Sequence, residues 1–451
     1  MAKLSIIVPV YNMREHLERC LFSVRNTVRI PYEVIVVDDG SSADEQIFAS
    51  DTMDHVRILR SEEHHGYAPA VNEGIRASEG EVLLFLHADV MLAPHTVEDM
   101  LDVLIADPNV GAVTAVAPVA YRRAQLIPPN DYLSWDDYVH VAEEIRVQGN
   151  PPRPEIFAEM FALMARRDAV SAAGHLDDRY SLPALASYDF TMSMTRAGYG
   201  IASLPSTYVH RDGENPDTTS DSYRRECDFF HEKWGVSLDY SFFPRRDLMS
   251  LMDFSKAGLR VLEIGCACGA TLREIGAQNS SARLYGVELN EKAAGIAAPY
   301  ATILSMDVES LDPSQVAERF DYIVMGDVIE HLQNPWKAIE NMRKLLAPGG
   351  EVIASIPNVA HISTFYGLLS GRWTYEDMGI LDRTHFRFFT KKEIIKLFQE
   401  AQFDIRDMRY VTVPCPDIGK RLREELLSLQ TISVDAEDLD AYQWLVRAKR
   451  V

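Results

Sequence analysis

A chain of 451 residues, 47% of them hydrophobic, is long enough for two domains with real cores, which excludes global disorder. Its formal net charge of -22 repels phosphate backbones and excludes bulk nucleic-acid binding, while leaving room for small anionic ligands met locally. Five cysteines, an odd number, exclude a disulfide framework, and Cys266 and Cys268 stand too close together for a zinc knuckle.

The run Leu4–Val10 follows a single positive charge and lacks a small-residue cleavage site, so it reads as a strand and not as a signal peptide. No apolar run approaches the ~18 residues of a membrane span, and the expected location is cytoplasmic. A helix is expected from about Arg14 to Thr27, then strands at Tyr32–Asp39, Val56–Leu59 and Glu81–Leu86. Short β-rich runs separated by helical patterns predict a mostly parallel, buried sheet. A polar, charge-rich stretch from about Arg211 to Lys256 follows, and the strand–helix pattern restarts at Arg260–Ile264. The expected domains are residues 1–240 and 241–451, both α/β and Rossmann-like, with no shared motif.

Open α/β sheets bind ligands at the carboxyl ends of their strands. In the first half these ends carry Pro9-Val-Tyr11-Asn12, Asp38-Asp39-Gly-Ser-Ser42 and His87-Ala-Asp89. No glycine-rich phosphate loop is present there, so a diphosphate needs another counter-charge. An Asp after a buried strand, with an imidazole two positions before it, can hold a divalent cation.

The ordered motifs SIIVPVYN, EVIVVDDGSS, FLHADV and RAGY…YVHRDG resemble the GT-A glycosyltransferases of the large inverting family two, over roughly the first half of the chain. The resemblance implies that Pro9 and Tyr11 line a base pocket and that Asp38 or Asp39 accepts from base or ribose. It also implies that Asp89 holds Mn²⁺ or Mg²⁺ on the diphosphate and that His210 reaches the same metal. His87 stands where the family has the first Asp of its DxD element, and imidazole tilts the ion toward Mn²⁺. The inverting base usually comes from an ED-x-D element, where Ser187 replaces the expected Asp. Ser187 reads as a helix N-cap and Asp189 as a first-turn residue. Asp189, Asp177 and Asp178 are the base candidates.

In the second half, Val261-Leu-Glu263-Ile-Gly265-Cys-Ala-Cys-Gly269 is a strand entering a glycine-bearing turn, and Glu288 ends the next strand about twenty residues later. A nicotinamide site shares this layout, but the loop is E-x-G-x-x-x-G and not G-x-G-x-x-G. With Asp327-Val-Ile-Glu-His331 and Leu346-Ala-Pro-Gly-Gly350 downstream, the array resembles class I methyltransferases, and SIPNVAHISTFYGLLSGRWTYEDMGILDRTHFRFFT resembles a branch common among bacterial surface-polysaccharide enzymes. The family's middle loop glycine is Ala267 here.

The resemblance implies that Glu263, Gly265 and Gly269 shape the methionine pocket of S-adenosylmethionine. It implies that Glu288 holds the ribose, that Asp307 and Val308 flank the adenine, and that Asp327 lies where cofactor meets acceptor. His331, His361 and His385 are candidates for proton removal, with His385 also expected to pair with Asp382; Trp373, Tyr375 and Phe386 could stack on a sugar or belong to a core. The expected protein is therefore a bifunctional enzyme. It transfers a sugar from a nucleotide sugar to a glycan or lipid-linked glycan, and it methylates a hydroxyl. The alternatives are a methyltransferase whose glycosyltransferase-like half only binds ligands, and a non-enzymatic scaffold.

Overall fold

A computed structural model describes residues 3–46, 55–120, 132, 134–212, 217–238, 240–431 and 433–451. The chain divides into two compact units, Met1–Leu238 and Asp239–Val451. Part of the polar stretch expected near the boundary, residues 213–216 and Asp239, lies outside the described residues.

In the first unit the strands are β1 (Leu4–Val10), β2 (Tyr32–Asp38), β3 (Val56–Arg60), β4 (Val82–Leu86), β5 (Val90–Met91), β6 (Val110–Val116), β7 (Arg153–Glu155), β8 (Ala162–Arg166), β9 (Gly200–Tyr208) and β10 (His210–Arg211). The main sheet runs β3-β2-β1-β4-β8-β6-β9-β7. Its β3-β2-β1-β4 half is parallel, and β8 enters antiparallel between β4 and β6. Continuous apolar runs fit strands buried on both faces: Ile6, Val8, Val34, Val36, Leu84 and Leu86 pack with Leu17, Leu21 and Val24 of the helix Arg14–Thr27. Each such side chain taken out of water contributes roughly 1.5–3 kcal/mol. With the helices committed to the faces of the sheet, polar residues are left to the strand ends.

In the second unit the strands are β11 (Arg260–Ile264), β12 (Arg283–Glu288), β13 (Thr302–Ser305), β14 (Phe320–Gly326), β15 (Leu346–Pro357), β16 (Phe403–Val411) and β17 (Gln443–Arg450). The sheet order is β13-β12-β11-β14-β15-β17-β16, parallel through β15 and antiparallel at β17 and β16. The order in which strands are added reverses at β11, first outward through β12 and β13 and then to β14 on the other side, which makes the ends of β11, β12 and β14 the crevice of the sheet. Ile323, Met325 and Val352 pack against Ile339, Met342 and Leu345 of the helix Pro335–Leu345, which Pro335 opens at its first position. Among the described residues, no helix is long and apolar enough to cross a membrane.

Candidate functional site

The strand ends of the first unit open on a cleft of about 410 Å³. It is lined by Pro9, Tyr11, Asp39, His64, Tyr67, His87, Asp89, Glu159, Arg211 and the segment Ser181–Ala184, among others. Tyr11 stacks on His64 with ring centroids 3.8 Å apart, forming an aromatic platform at the mouth. Asp39 is buried and pins the loop that carries His64: it accepts from the backbone N–H of His65 at 2.9 Å and of Gly66 at 2.7 Å, and its Oδ2 lies 2.8 Å from His64 Nδ1. Asp38 does not line the cleft. Its carboxylate accepts from Ser41 N and from Arg60 Nε, both at 2.9 Å, so of the two expected aspartates only Asp39 lines the cleft.

Deeper in, Asp89 Oδ1 is buried with no hydrogen-bond partner, and His87 Nδ1 lies 3.8 Å away. Burial pulls the His87 imidazole down to about 4, so the ring is neutral near pH 7, while its Nε2 meets Tyr67 Oη at 3.2 Å. An orphaned carboxylate oxygen beside a neutral imidazole fits a divalent ion of the Mn²⁺ class.

His210 was expected on that ion, and here the structure differs. The two residues of β10 pair antiparallel with β5, His210 opposite Met91 and Arg211 opposite Val90. Successive strand residues point to opposite faces, so Arg211 enters the Asp89 cleft and His210 turns away. The His210 ring meets Tyr132 Oη and Asp212 Oδ1, the latter at 2.7 Å, in a different cavity with Arg19 and Trp135. Arg211 stands with its Nη1 3.2 Å from Glu159 Oε2 and its Nε 3.6 Å from Asp89 Oδ2.

The base candidates also need correction. The helix runs Pro183–Arg196, with Pro183 at its start, so Ser187 is not an N-cap and Asp189 is not in the first turn. Ser187 Oγ donates back to Pro183 O at 2.5 Å. Asp189 is 1% exposed and accepts from Lys233 Nζ at 2.7 Å and Trp234 Nε1 at 2.8 Å, which locks it away from the cleft. Asp177 is tied to Arg179 and Asp178 accepts from Asn72 Nδ2, and neither lines the cleft. Glu159, which the sequence reading passed over, does line it. Its signal was available: it is the one charge in the apolar run Ile156–Ala165.

In the second unit a cavity of about 330 Å³ is lined by Tyr240, Phe243, Arg245, Glu263, Gly265, Ala267, Thr271, Asp327 and Gln443, among others. The turn between β11 and the helix Ala270–Gln278 takes left-handed backbone at Gly265 (φ 67°), Ala267 (φ 46°) and Gly269 (φ 77°). A Cβ at Gly269 would sit 2.9 Å from that of Ala297, so the glycine is sterically required. Ala267 holds the same kind of backbone at a cost of about 1–2 kcal/mol, with its N–H donating to Glu288 Oε2 at 2.8 Å. Glu288 Oε1 accepts from Asn290 N at 2.8 Å, so both carboxylate oxygens are fixed by amides. Asp307 is exposed and caps the short turn Val308–Ser310, in which Val308 is buried.

Glu263 is buried and its Oε2 has no partner; burial pushes its carboxyl up to about 8. Asp327, another left-handed residue (φ 54°), accepts from Arg245 Nη1 at 2.7 Å, Ser355 Oγ at 2.8 Å and Gln443 Nε2. Arg245 and Gln443 come from distant segments without motif spacing, so sequence inspection had no handle on them, whereas Thr271 stands two residues after Gly269 of the turn.

The histidines sort differently. His361 is buried and caps its helix, accepting from Ser363 N. His331 and His385 lie ring against ring, centroids 4.7 Å apart. The expected side-chain pair of His385 with Asp382 is absent among the described hydrogen bonds: His385 Nδ1 meets Ile380 O at 3.0 Å, and Asp382 accepts from Thr384. Trp373, Tyr375 and Phe386 are exposed.

Comparison with known proteins follows the same division. Residues 5–169 match the model for Glycosyl transferase family 2, and residues 239–407 match a methyltransferase domain model. An uncharacterized glycosyltransferase of Haemophilus influenzae is 35% identical over 52% of this chain and 78% of its own length. A ubiquinone biosynthesis O-methyltransferase of Dechloromonas aromatica is 26% identical over 40% of this chain and 80% of its own. The O-antigen biosynthesis protein RfbC of Myxococcus xanthus is 28% identical over 48% of this chain, but the match spans only 19% of that protein.

Proposed function

We propose two transfer reactions for this chain, which belongs to the family 2 glycosyltransferases and carries a methyltransferase domain after the glycosyltransferase one: metal-dependent inverting transfer of a sugar from a nucleotide sugar, and methylation of a hydroxyl on a glycan or lipid-linked glycan by S-adenosylmethionine. The chain is a transferase enzyme with both domains present. The name of the RfbC relative supports a place in surface-polysaccharide synthesis.

The observation that carries the first reaction is the orphaned Asp89 oxygen beside His87 at the floor of the Tyr11–His64 cleft. The platform takes the base, and Asp39 holds the platform loop. Asp89 and His87 would hold the metal, which supplies positive charge to the leaving diphosphate. Arg211 adds a second cation to the same end of the cleft. With Asp189 locked, Glu159, oriented by Arg211, is the carboxylate placed to take the acceptor's proton. In the second cavity Glu263, buried and unpaired on one oxygen, suits the ammonium of the methionine moiety, and Glu288 at the end of β12 suits the ribose. The sulfonium is already an activated donor, so this unit's task is to align the acceptor and remove one proton.

The locking of Asp189 favours one second reading, a first unit that binds donor without transferring it. Calorimetry with nucleotide sugars and Mn²⁺, followed by an assay for donor consumption, separates the two. Donor binding with no transfer to any acceptor and no hydrolysis selects the second reading. For the other unit, titration with S-adenosylmethionine, S-adenosylhomocysteine and NAD tests the cofactor, and binding of NAD alone would refute the methyl-transfer reaction.

A further inference from the structure

We propose that Glu330, His331 and His385 form a divalent-cation site in the second unit. One ligand atom from each residue lies within 4.8 Å of the other two. Glu330 is 1% exposed, and neither of its carboxylate oxygens has a hydrogen-bond partner. A buried carboxylate with two bare oxygens is expensive unless a cation or donor meets it.

The tautomers of the two rings support the same conclusion. His331 Nδ1 faces Thr384 O at 3.2 Å, and His385 Nδ1 faces Ile380 O at 3.0 Å. A carbonyl can only accept, so each Nδ1 carries the hydrogen and each Nε2 keeps its lone pair. Metal-bound imidazoles are typically held this way, with the second nitrogen donating to a backbone carbonyl. Thr384 Oγ1 donates to Asp382 Oδ1 at 2.6 Å, which keeps that carboxylate off the rings. The two segments are fastened together by the backbone: Glu330 O accepts from Phe386 N at 2.9 Å and Arg387 N at 3.0 Å. The ligands therefore converge from two distant stretches of chain without needing a long loop to order.

Two imidazoles and one carboxylate suit Zn²⁺, Mn²⁺ or Fe²⁺ better than Ca²⁺ or Mg²⁺, and three protein ligands leave positions open for an oxygen of a small molecule. Glu330 follows Asp327 by one short turn, so such an oxygen would sit beside the second cavity. The site stands on these three residues alone and holds whether or not the second unit transfers methyl groups.

The test uses the full chain in an Asp89→Ala background, which removes the ion expected in the first unit. After stripping with a chelator, the protein is titrated with Zn²⁺ and Mn²⁺, and bound metal is measured by elemental analysis after gel filtration. One equivalent should remain bound. His331→Asn and His385→Asn should each weaken it by about 100-fold or more, with far-UV circular dichroism and the melting profile of the stripped protein unchanged. Glu330→Gln should do the same, and the two histidine variants decide the matter if that protein fails to fold. No bound equivalent in the Asp89→Ala protein, or undiminished binding in the His331→Asn/His385→Asn double variant, would overturn the proposal.

Discussion

The two clefts gather charge by different means, although both open at the ends of parallel strands. The first unit relies on side chains: Asp89, His87 and Arg211 gather at strand ends whose turns carry no glycine-rich loop. The second relies on backbone: three left-handed residues bend the turn after β11 so that main chain can approach a ligand, and Glu288 ties the turn down from the neighbouring strand. Side-chain sites can be dismantled one residue at a time. A backbone site tolerates side-chain changes but not changes in conformation.

The largest contrast should come from Asp89→Ala. Mn²⁺-dependent nucleotide binding should fall below detection by calorimetry, roughly 100-fold or more, while affinity for S-adenosylhomocysteine stays unchanged. Donor affinity of the wild type unchanged by chelator, or equal in wild type and variant with Mn²⁺ present, would remove the metal from the first cleft. Glu288→Ala addresses the other side of the comparison. Loss of a charge-assisted pair to ribose, worth about 1.5–3 kcal/mol, should weaken S-adenosylmethionine roughly 10- to 100-fold. Unchanged affinity would mean that the carboxylate serves only the turn.

Asp189→Asn should cost about 1–3 kcal/mol in denaturant unfolding, because Lys233 loses its buried partner. Donor binding and the turnover of properly folded protein should persist, and a ~10²-fold loss of turnover at unchanged stability would restore Asp189 as the base. Glu263 gives the second unit a pH signature. Its carboxyl is raised to about 8 when folded, from the ordinary 4.5, so the folded state holds more protons between those values. Stability should then fall as pH rises from about 4.5 to 8. Glu263→Gln should flatten that slope, and an identical slope in the variant would count against a buried, ligand-free carboxyl. The smallest effect is Ala267→Gly, which relieves left-handed strain and should stabilise the second unit by ~0.5–1 kcal/mol; a loss of stability would show that Ala267 is unstrained.

The sequence revealed the central strands well because they are buried on two faces, and runs such as Leu4–Val10 and Arg260–Ile264 carry that burial in their composition. Strand-end residues followed directly, hence Tyr11, Asp39, Asp89, Glu263 and Asp327 at cavity walls. Errors arose where one residue of offset decides direction. Pro183 marked the true helix start, but Ser187 offered a rival cap, and four residues of difference carried Asp189 from a first turn into the packed interior. His210 and Arg211 are neighbours in a two-residue strand, and motif matching could not say which faces inward. Arg245 and Gln443 meet Asp327 only through folding.

That two-residue strand also acts as a parity element. Whichever residue of β10 stands opposite Val90 projects into the Asp89 cleft, and whichever stands opposite Met91 projects into the cavity with Tyr132 and Trp135. Slipping the pairing by one position, as a single insertion just ahead of Val209 would do, exchanges a permanent guanidinium for a titratable, metal-capable imidazole beside Asp89. Whether this cleft carries its own positive charge or would have to recruit it thus turns on one step of register, and an insertion at that point changes its charge without replacing any residue of the cleft.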